Sequence, residues 1–330
     1  MRLKLTDKFW EIYRRINKLP KLVRIESCSL CQLNCRDCYM RKNSDNKPVI
    51  GEGYLKFNDF KKFIEKNPYI KQIELSLSGE IFLNPELINI IQFAHKKRIS
   101  LTAHNGVNFN TVSDEVLEGL VKYQFKGISI SLDGTSNETY SIYRRNGNYN
   151  KVIANIKKLN EYKKKYNSIF PILTWQYIVF KHNKHEICNI EKIAKELNFS
   201  RIYVKEAWNN EVKMSEISSF PKPLLNDSKE IIDIFRSDDF ELCKQIWLSP
   251  QINWDGTLLG CCCSTHHNLN TNVFRTNLKK ALKTEKMKFI RNVLSGKEAT
   301  NETIACNWCH FYKIKKEKNT YIDPQKLRFN

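Results

Sequence analysis

Glycine and proline are scarce in this chain, 11 and 9 among 330 residues. That excludes collagen-like and linker-rich architectures. No stretch of about 18 apolar residues occurs, so no membrane-spanning helix and no membrane partner are expected. The opening MRLKLTDKFWEIYRRINKLPK is too charged for the apolar stretch of a secretory signal. A cytoplasmic protein is expected. No fixed-period repeat is present, which argues against a solenoid or propeller. Acid is short as well: 35 Asp and Glu stand against 55 Lys and Arg, a net charge of +20. Such an excess favours anionic partners. The basic residues are scattered, however, and form no arm or repeat, so a nucleic-acid reader is not expected. Apolar residues make up 41% of the chain, and 18 Phe, 14 Tyr and 6 Trp are enough to fill a sizeable core.

Cysteine, by contrast, is abundant. The 11 thiols are Cys28, Cys31, Cys35, Cys38, Cys188, Cys243, Cys261, Cys262, Cys263, Cys306 and Cys309. All but Cys188 fall near the start or near the end. In a reducing compartment, clustered cysteines point to metal or redox chemistry rather than to disulfides. Cys188 falls inside a helical pattern and reads as a small core residue. His266–His267 has no third partner and reads as surface.

Periodicity gives a helix over 1–20 ending at Pro20, then an alternation. Strands are expected at 21–27, 72–78, 99–104, 126–133, 172–180 and 201–206. Helices are expected at about 57–66, 84–97, 113–123, 150–165 and 184–197, with Asn84–Pro85 as N-cap and first-turn pair of the second. Alternation of this kind builds a parallel sheet with crossover helices. It fits an open doubly wound sheet and a partial barrel equally. In both, ligands sit at the carboxyl ends of the strands. The first cysteine loop, Ser78–Glu80, His104–Gly106 and Asp133–Gly134 fall there and are expected to converge. Residues 207–242 read as a connector. Residues 251–262 read as a hairpin turning at Asp255–Gly256, followed by a helix at about 277–295 and a Lys-rich tail.

Cys31, Cys35 and Cys38 have the spacing C-x3-C-x2-C. Soft thiolates suit an iron–sulfur cluster or zinc. Three can hold three corners of a cubane and leave the fourth iron open. A four-thiolate zinc site completed by Cys28 is the alternative.

This loop, placed after a first strand, resembles the signature of the radical S-adenosylmethionine (SAM) superfamily. Three further stretches agree in type and order. Ser78-Gly79-Glu80-Ile81-Phe82-Leu83-Asn84-Pro85 looks like the family's Gly-Gly-Glu-Pro segment. Leu101-Thr102-Ala103-His104-Asn105-Gly106 resembles its Thr-Asn-Gly turn. Ile130-Ser131-Leu132-Asp133-Gly134, with Tyr140 and Arg144 downstream, resembles a stretch of the subgroup that carries a C-terminal SPASM or twitch domain. Asn183, His185 and Glu186 fit that subgroup too. The sequence departs from the pattern at Asp37, where an aromatic residue usually packs near the adenine; Tyr39 is the candidate replacement.

The resemblance implies an α/β fold: a partial (β/α)6 TIM-like barrel with a small cysteine-rich twitch/SPASM-like domain. It implies a helix over 1–20, a core over 21–206, a connector over 207–242 and an auxiliary domain over 243–330. It implies a [4Fe–4S] cluster on Cys31, Cys35 and Cys38, with SAM bound by Tyr39, Ser78, Gly79, Glu80, Asn105, Ser131, Asp133 and Arg144. Glu80 would pair with the SAM ammonium and Arg144 with its carboxylate. Cys243, Cys261, Cys306 and Cys309 have twitch spacing, which implies one auxiliary [4Fe–4S] cluster. A zinc site on the same thiols, or Cys262 or Cys263 in place of Cys261, remains open, and a leftover thiol could serve an epimerase.

The family reaction is reductive cleavage of SAM to a 5′-deoxyadenosyl radical that abstracts a substrate hydrogen. An auxiliary cluster suits a two-electron oxidation. The expected substrate is a small polyol, amino sugar or anionic molecule. The alternatives are a maturase of ribosomal peptides or sulfatases, and an epimerase. Only about 20 residues precede the first strand, which argues against a built-in leader-binding domain. Flavodoxin or ferredoxin is the expected electron donor. Gln176, Lys205 and Glu206 lie on late strands, and the latter two are candidate bases. A non-enzymatic cysteine-rich binding module is the reading from outside this class.

Overall fold

The computed structural model describes residues 5–38, 50–207, 242–265 and 267–329. In chain order its elements are α1 (Leu5–Ile16), β1 (Leu22–Ile25), α2 (Phe57–Lys66), β2 (Gln72–Glu74), α3 (Leu87–Lys96), β3 (Ser100–Val107), α4 (Asp114–Lys122), β4 (Gly127–Ser131), α5 (Asn137–Tyr143), α6 (Tyr149–Lys165), β5 (Ile172–Val179), α7 (Ile187–Glu196), β6 (Arg201–Glu206), α8 (Gln245–Leu248), β7 (Gln251–Ile252), β8 (Leu258–Gly260), α9 (Leu278–Ala281), α10 (Glu285–Leu294) and α11 (His310–Glu317). They gather in two discontinuous units. One contains residues 30–38 and 78–207; the other contains 5–29, 50–77 and 242–329.

In the first unit, β3, β4, β5 and β6 pair in that order, all parallel. The centre of this sheet is β4, buried at every position. Its β-branched sequence GISIS suits a strand covered on both faces. Helices α4 and α6 bury Leu117, Leu120, Val152, Ile156 and Leu159 at helical spacing. Ser113 caps α4 by accepting the Val116 N–H at 3.3 Å, and Asn148 caps α6 by accepting the Lys151 N–H at 3.0 Å.

In the second unit, β1 pairs in parallel with both β2 and β7, and β7 runs antiparallel to β8. The β7–β8 turn at Asp255–Gly256 is the expected hairpin: Asp255 accepts the Thr257 N–H at 2.9 Å, and Gly256 has φ +89°. β1 therefore joins the early strand β2 to the cysteine-rich region. In α1, Arg14 is fully enclosed, held by Glu11, Leu19 O and Phe329 O.

The α/β class expected from the alternation stands, with six strands in parallel pairings and helices between them. Several local expectations are corrected. β3 runs on to Val107, so His104–Gly106 lies inside the strand, where the register shifts between Ala103 and Val107. α3 begins at Leu87 rather than at Pro85, because Asn84 turns its side chain back to accept the Glu86 N–H at 2.9 Å. α5 was not expected; Ser136 starts it by accepting the Thr139 N–H at 3.3 Å. The single helix expected over 277–295 is two, broken by extended backbone at Thr284. The tail forms α11, which buries Tyr312. Cys188 is exposed rather than a core residue: the buried face of α7 carries Ile187, Ile190 and Ala194, and Cys188 lies one residue off it. The expected connector, apart from its end residues, lies outside the described residues. Among the described residues no helix is long and apolar enough to cross a membrane.

Candidate active site and auxiliary thiol site

The first cysteine loop is tied down by its own backbone. Asn34 N–H donates to Arg145 O at 3.0 Å, Arg36 N–H to Tyr143 O at 3.4 Å and Cys38 N–H to Cys35 O at 3.2 Å. Beneath it, Leu33, Cys35, Tyr143, Phe180 and Ala207 form a small apolar cluster, with Cys31 and Cys38 packed against it. Two of the sulfurs face N–H donors. Asn108 Nδ2 lies 3.7 Å from Cys31 Sγ, and Arg144 Nη1 lies 3.8 Å from Cys35 Sγ. Burial pushes the Cys31 thiol up to about 11, and it also raises Cys35 against the pull of Arg144. Thiols so enclosed do not ionise unaided at neutral pH; a soft metal centre supplies the missing positive charge. N–H donors to sulfur are also what tunes an iron–sulfur cluster. The three thiols and their donors fit such a cluster.

Glu80 is buried beside this loop. Its carboxylate accepts the Asn108 N–H at 2.6 Å and the Phe82 N–H at 3.3 Å, and its own N–H donates to Leu30 O at 2.8 Å. Burial pushes its carboxyl up to about 7 in spite of those donors. A nearby cation would restore its charge. Ser78 and Gly79 are half-buried at its approach. Asn108, which the sequence reading did not single out, links the parts. Its N–H goes to Glu80, its side chain reaches Cys31, and Gln32 Nε2 donates to its Oδ1 at 2.8 Å. Its position two residues past Asn105-Gly106 was the only sequence signal.

Asp133 is fully buried after β4. Its Oδ1 accepts the Ile178 N–H at 2.7 Å, and its Oδ2 pairs with Arg144 Nε at 2.6 Å. Burial works against the Arg144 charge, but Asp133 and Cys35 more than offset it, so the guanidinium is held firmly protonated. Arg144 thus touches Asp133 and the cluster loop at once. Asn183 braces this turn, donating to Asp133 O at 3.0 Å and to Ile178 O at 2.9 Å. Glu186 accepts the Thr135 N–H at 2.9 Å and the Thr139 hydroxyl at 2.8 Å. Gly134 is required here: a Cβ would meet the Tyr140 nitrogen at 2.6 Å.

Ser131 is buried at the end of β4, against Gly106. A Cβ on Gly106, which has φ +106°, would meet Ser131 Oγ at 2.6 Å and Gln176 Nε2 at 3.0 Å. Gln176 Oε1 accepts Lys205 Nζ at 3.0 Å, and burial lowers the Lys205 pKa. Asn105 is exposed on β3. Tyr39 lies outside the described residues. The structure thus brings Cys31, Cys35, Glu80, Asp133 and Arg144 into one bonded network, with Ser131 in a neighbouring group.

In the second unit, Cys243, Cys261, Cys262, Cys263, Cys306 and Cys309 line one hollow, closed by Ile246, Ile290 and Leu294. Cys309 immediately precedes α11. The Cys263 thiol and the Tyr312 and Phe311 N–H groups lower the Cys309 pKa, and Cys263 and Ser264 lower that of Cys261. Burial pushes Cys243 up to about 12 and raises Cys306. Among the described residues, no three His, Cys, Asp or Glu side chains are gathered tightly enough to hold a single metal ion. The soft donor set fits a cluster that spreads its ligands around a larger centre. Cys28 is buried and bridges Tyr54 through its backbone. His267 stacks on Trp308 with centroids 5.2 Å apart; His266 lies outside the described residues.

The chain belongs to the radical SAM superfamily, which residues 25–187 match. The cysteine-type anaerobic sulfatase-maturating enzyme of Clostridium novyi (strain NT) is 27% identical over 196 residues, which is 56% of this chain and 50% of that protein. The chain spans about half the length of the curated relatives it matches. Among solved structures, Streptococcus suis SuiB bound to precursor peptide SuiA has a TM-score of 0.62 at 14% identity, covering 93% of this chain and 74% of that one. Native anSMEcpe with bound AdoMet has a TM-score of 0.55 at 16% identity, covering 88% and 87%. These likenesses establish the radical SAM core fold.

Proposed function

We propose that this protein cleaves SAM reductively at a [4Fe–4S] cluster on Cys31, Cys35 and Cys38 and uses the resulting radical to modify a peptide or protein side chain. The observation that carries the reading is the bonded network around the loop. Two cluster thiols receive N–H donors from Asn108 and Arg144. Those two residues also hold Glu80 and Asp133. Cluster loop and SAM-motif carboxylates are therefore one connected structure.

When bound, cluster and SAM supply a one-electron cleavage of the sulfonium C–S bond and a 5′-deoxyadenosyl radical able to abstract hydrogen. The residues of this chain bind and orient. Glu80 takes the SAM ammonium, which compensates the charge that burial makes costly. Arg144, fixed at Nε by Asp133, presents the rest of its guanidinium to the SAM carboxylate. Ser131, Gly79 and Ser78 complete the polar wall. Lys205, whose ammonium form burial disfavours, is the base that takes a substrate proton in an oxidation. The thiols of the second unit hold an auxiliary [4Fe–4S] cluster. A flavodoxin or ferredoxin supplies electrons in the cytoplasm, where the thiols stay reduced.

A peptide or protein substrate is supported by the sulfatase-maturating relative. The small polyol expected from the sequence has no finding behind it. The test is anaerobic reconstitution and reduction with dithionite, followed by chromatography for 5′-deoxyadenosine. Synthetic peptides carrying cysteine or serine, as the reading requires, raise 5′-deoxyadenosine and acquire a mass change, whereas inositols and amino sugars do neither. Turnover of polyols alone would overturn the substrate assignment.

A further inference from the structure

A second hollow of the second unit, of about 160 Å³, has no cysteine in its wall. Four cationic residues line it. Lys18 comes from the turn that closes α1, Lys279 from α9, Lys283 from the residues just after α9, and Arg291 from α10. No Asp or Glu lines it. The carboxylates on the elements that build it are engaged elsewhere. Asp7 pairs with Lys71, Glu11 with Arg14 and Arg15, Glu285 with Lys288 and Asp323 with Lys326.

Lysines alone would make a solvated surface, and Lys18 and Lys283 are exposed. Arg291 is different. It donates to Leu282 O at 2.9 Å and to Ile246 O at 3.2 Å, and its guanidinium stands 5.8 Å from the centre of the Trp247 ring. Its Nε is buried without a hydrogen-bond partner. Burial lowers its pKa to about 10, with no carboxylate to offset it. Lys279 Nζ likewise donates to a neutral group, the Tyr13 hydroxyl, at 2.9 Å. Carbonyls and a hydroxyl thus orient these two charges without neutralising them. A partly desolvated cation with no counter-charge is costly, and an anion in the hollow would relieve that cost.

We propose that this hollow binds the phosphate group of a small organic phosphate monoester. Such a group carries about −1.5 to −2 charges at pH 7 and three acceptor oxygens, which suits cations arriving from separate elements. A carboxylate, with one charge, would leave most of them uncompensated. Trp247 and Phe329 in the wall take the organic part. The site is independent of the SAM reading, because no residue of the cluster loop or of the SAM motifs enters it.

The test is titration calorimetry on the reconstituted full chain with SAM present, using phenyl phosphate, inorganic phosphate, benzoate and phenol as probes. Phenyl phosphate is expected to bind at one site per chain, about tenfold more tightly than inorganic phosphate. Benzoate binds about tenfold more weakly than phenyl phosphate, and phenol gives no saturable heat. Lys18→Gln/Lys283→Gln weakens phenyl phosphate by about fivefold or more. Lys280→Gln/Lys297→Gln, which removes the same charge from outside the hollow, leaves it unchanged. Circular dichroism melts of both double variants, matching wild type, separate lost binding from misfolding. No saturable binding of phenyl phosphate overturns the site. Equal binding of benzoate overturns the phosphate class, and equal binding of phenol reduces the hollow to an apolar pocket. Equal weakening in both double variants, or none in the first, overturns the assignment to this hollow.

Discussion

Asp133 and Arg144 show how a single pair can serve fold and site together. Their charges are buried and bonded, so removing one leaves the other unpaired. Asp133→Asn is expected to cost about 3–5 kcal/mol, read by urea unfolding of the metal-free protein. A cost below about 1 kcal/mol would mean that Arg144 finds water or another partner. Glu80 gives a pH dependence of definite sign. Its folded pKa of about 7 lies above the ordinary 4.5. Below about 4.5 both states are protonated and Glu80 has no effect. As pH rises toward 7 the unfolded chain sheds its proton while the folded chain keeps it, so stability falls, by about 3 kcal/mol once pH exceeds 7. Relative to Glu80→Gln, the metal-free wild type should therefore lose stability between about pH 5 and pH 8 in denaturant titrations. A constant difference would contradict the buried-carboxylate account. By the same linkage SAM, whose ammonium favours the ionised form, should bind more tightly as pH rises through about 7, read by calorimetry on the reconstituted protein.

At the scale of elements, β3 carries a positive-φ glycine against the end of β4. Gly106→Ala adds a Cβ in a strained conformation against Ser131. It is expected to cost about 1–3 kcal/mol in thermal or urea unfolding and to weaken SAM binding. Ser113→Ala, which removes only the cap of α4, should cost about 1 kcal/mol and leave iron content unchanged. If both variants weakened SAM binding equally, the link between β3 and the site would be no more than general stability. The elements also show what the sequence made legible. Long periodic segments such as α2 and α6 were readable, because burial imposes the period. β3 was read short because Asn105-Gly106 has turn chemistry, whereas the strand absorbs it as a register shift. α5 was missed because NETYSIY is seven residues of middling helix propensity, ordered by Ser136 and by packing. α11 was hidden in lysines, with Tyr312 its buried anchor. Cysteine spacing exposed both thiol sites, since ligand geometry demands it. Asn108 acts through hydrogen bonds to residues far from it in sequence, Gln32, Cys31 and Glu80, and such contacts impose no periodicity to read.

The whole molecule should carry two independent metal centres, one on residues 31–38 and one on residues 243–309. Reconstituted wild type should hold about eight irons, the Cys31→Ala/Cys35→Ala/Cys38→Ala variant about four, and a Cys243→Ala/Cys306→Ala variant about four. Reductive SAM cleavage is decided by formation of 5′-deoxyadenosine from SAM under dithionite, compared between wild type and the first variant. Wild type should form product and the variant none, while the variant keeps its auxiliary iron. Equal product from both, or none from a wild type that holds its full iron, would contradict it.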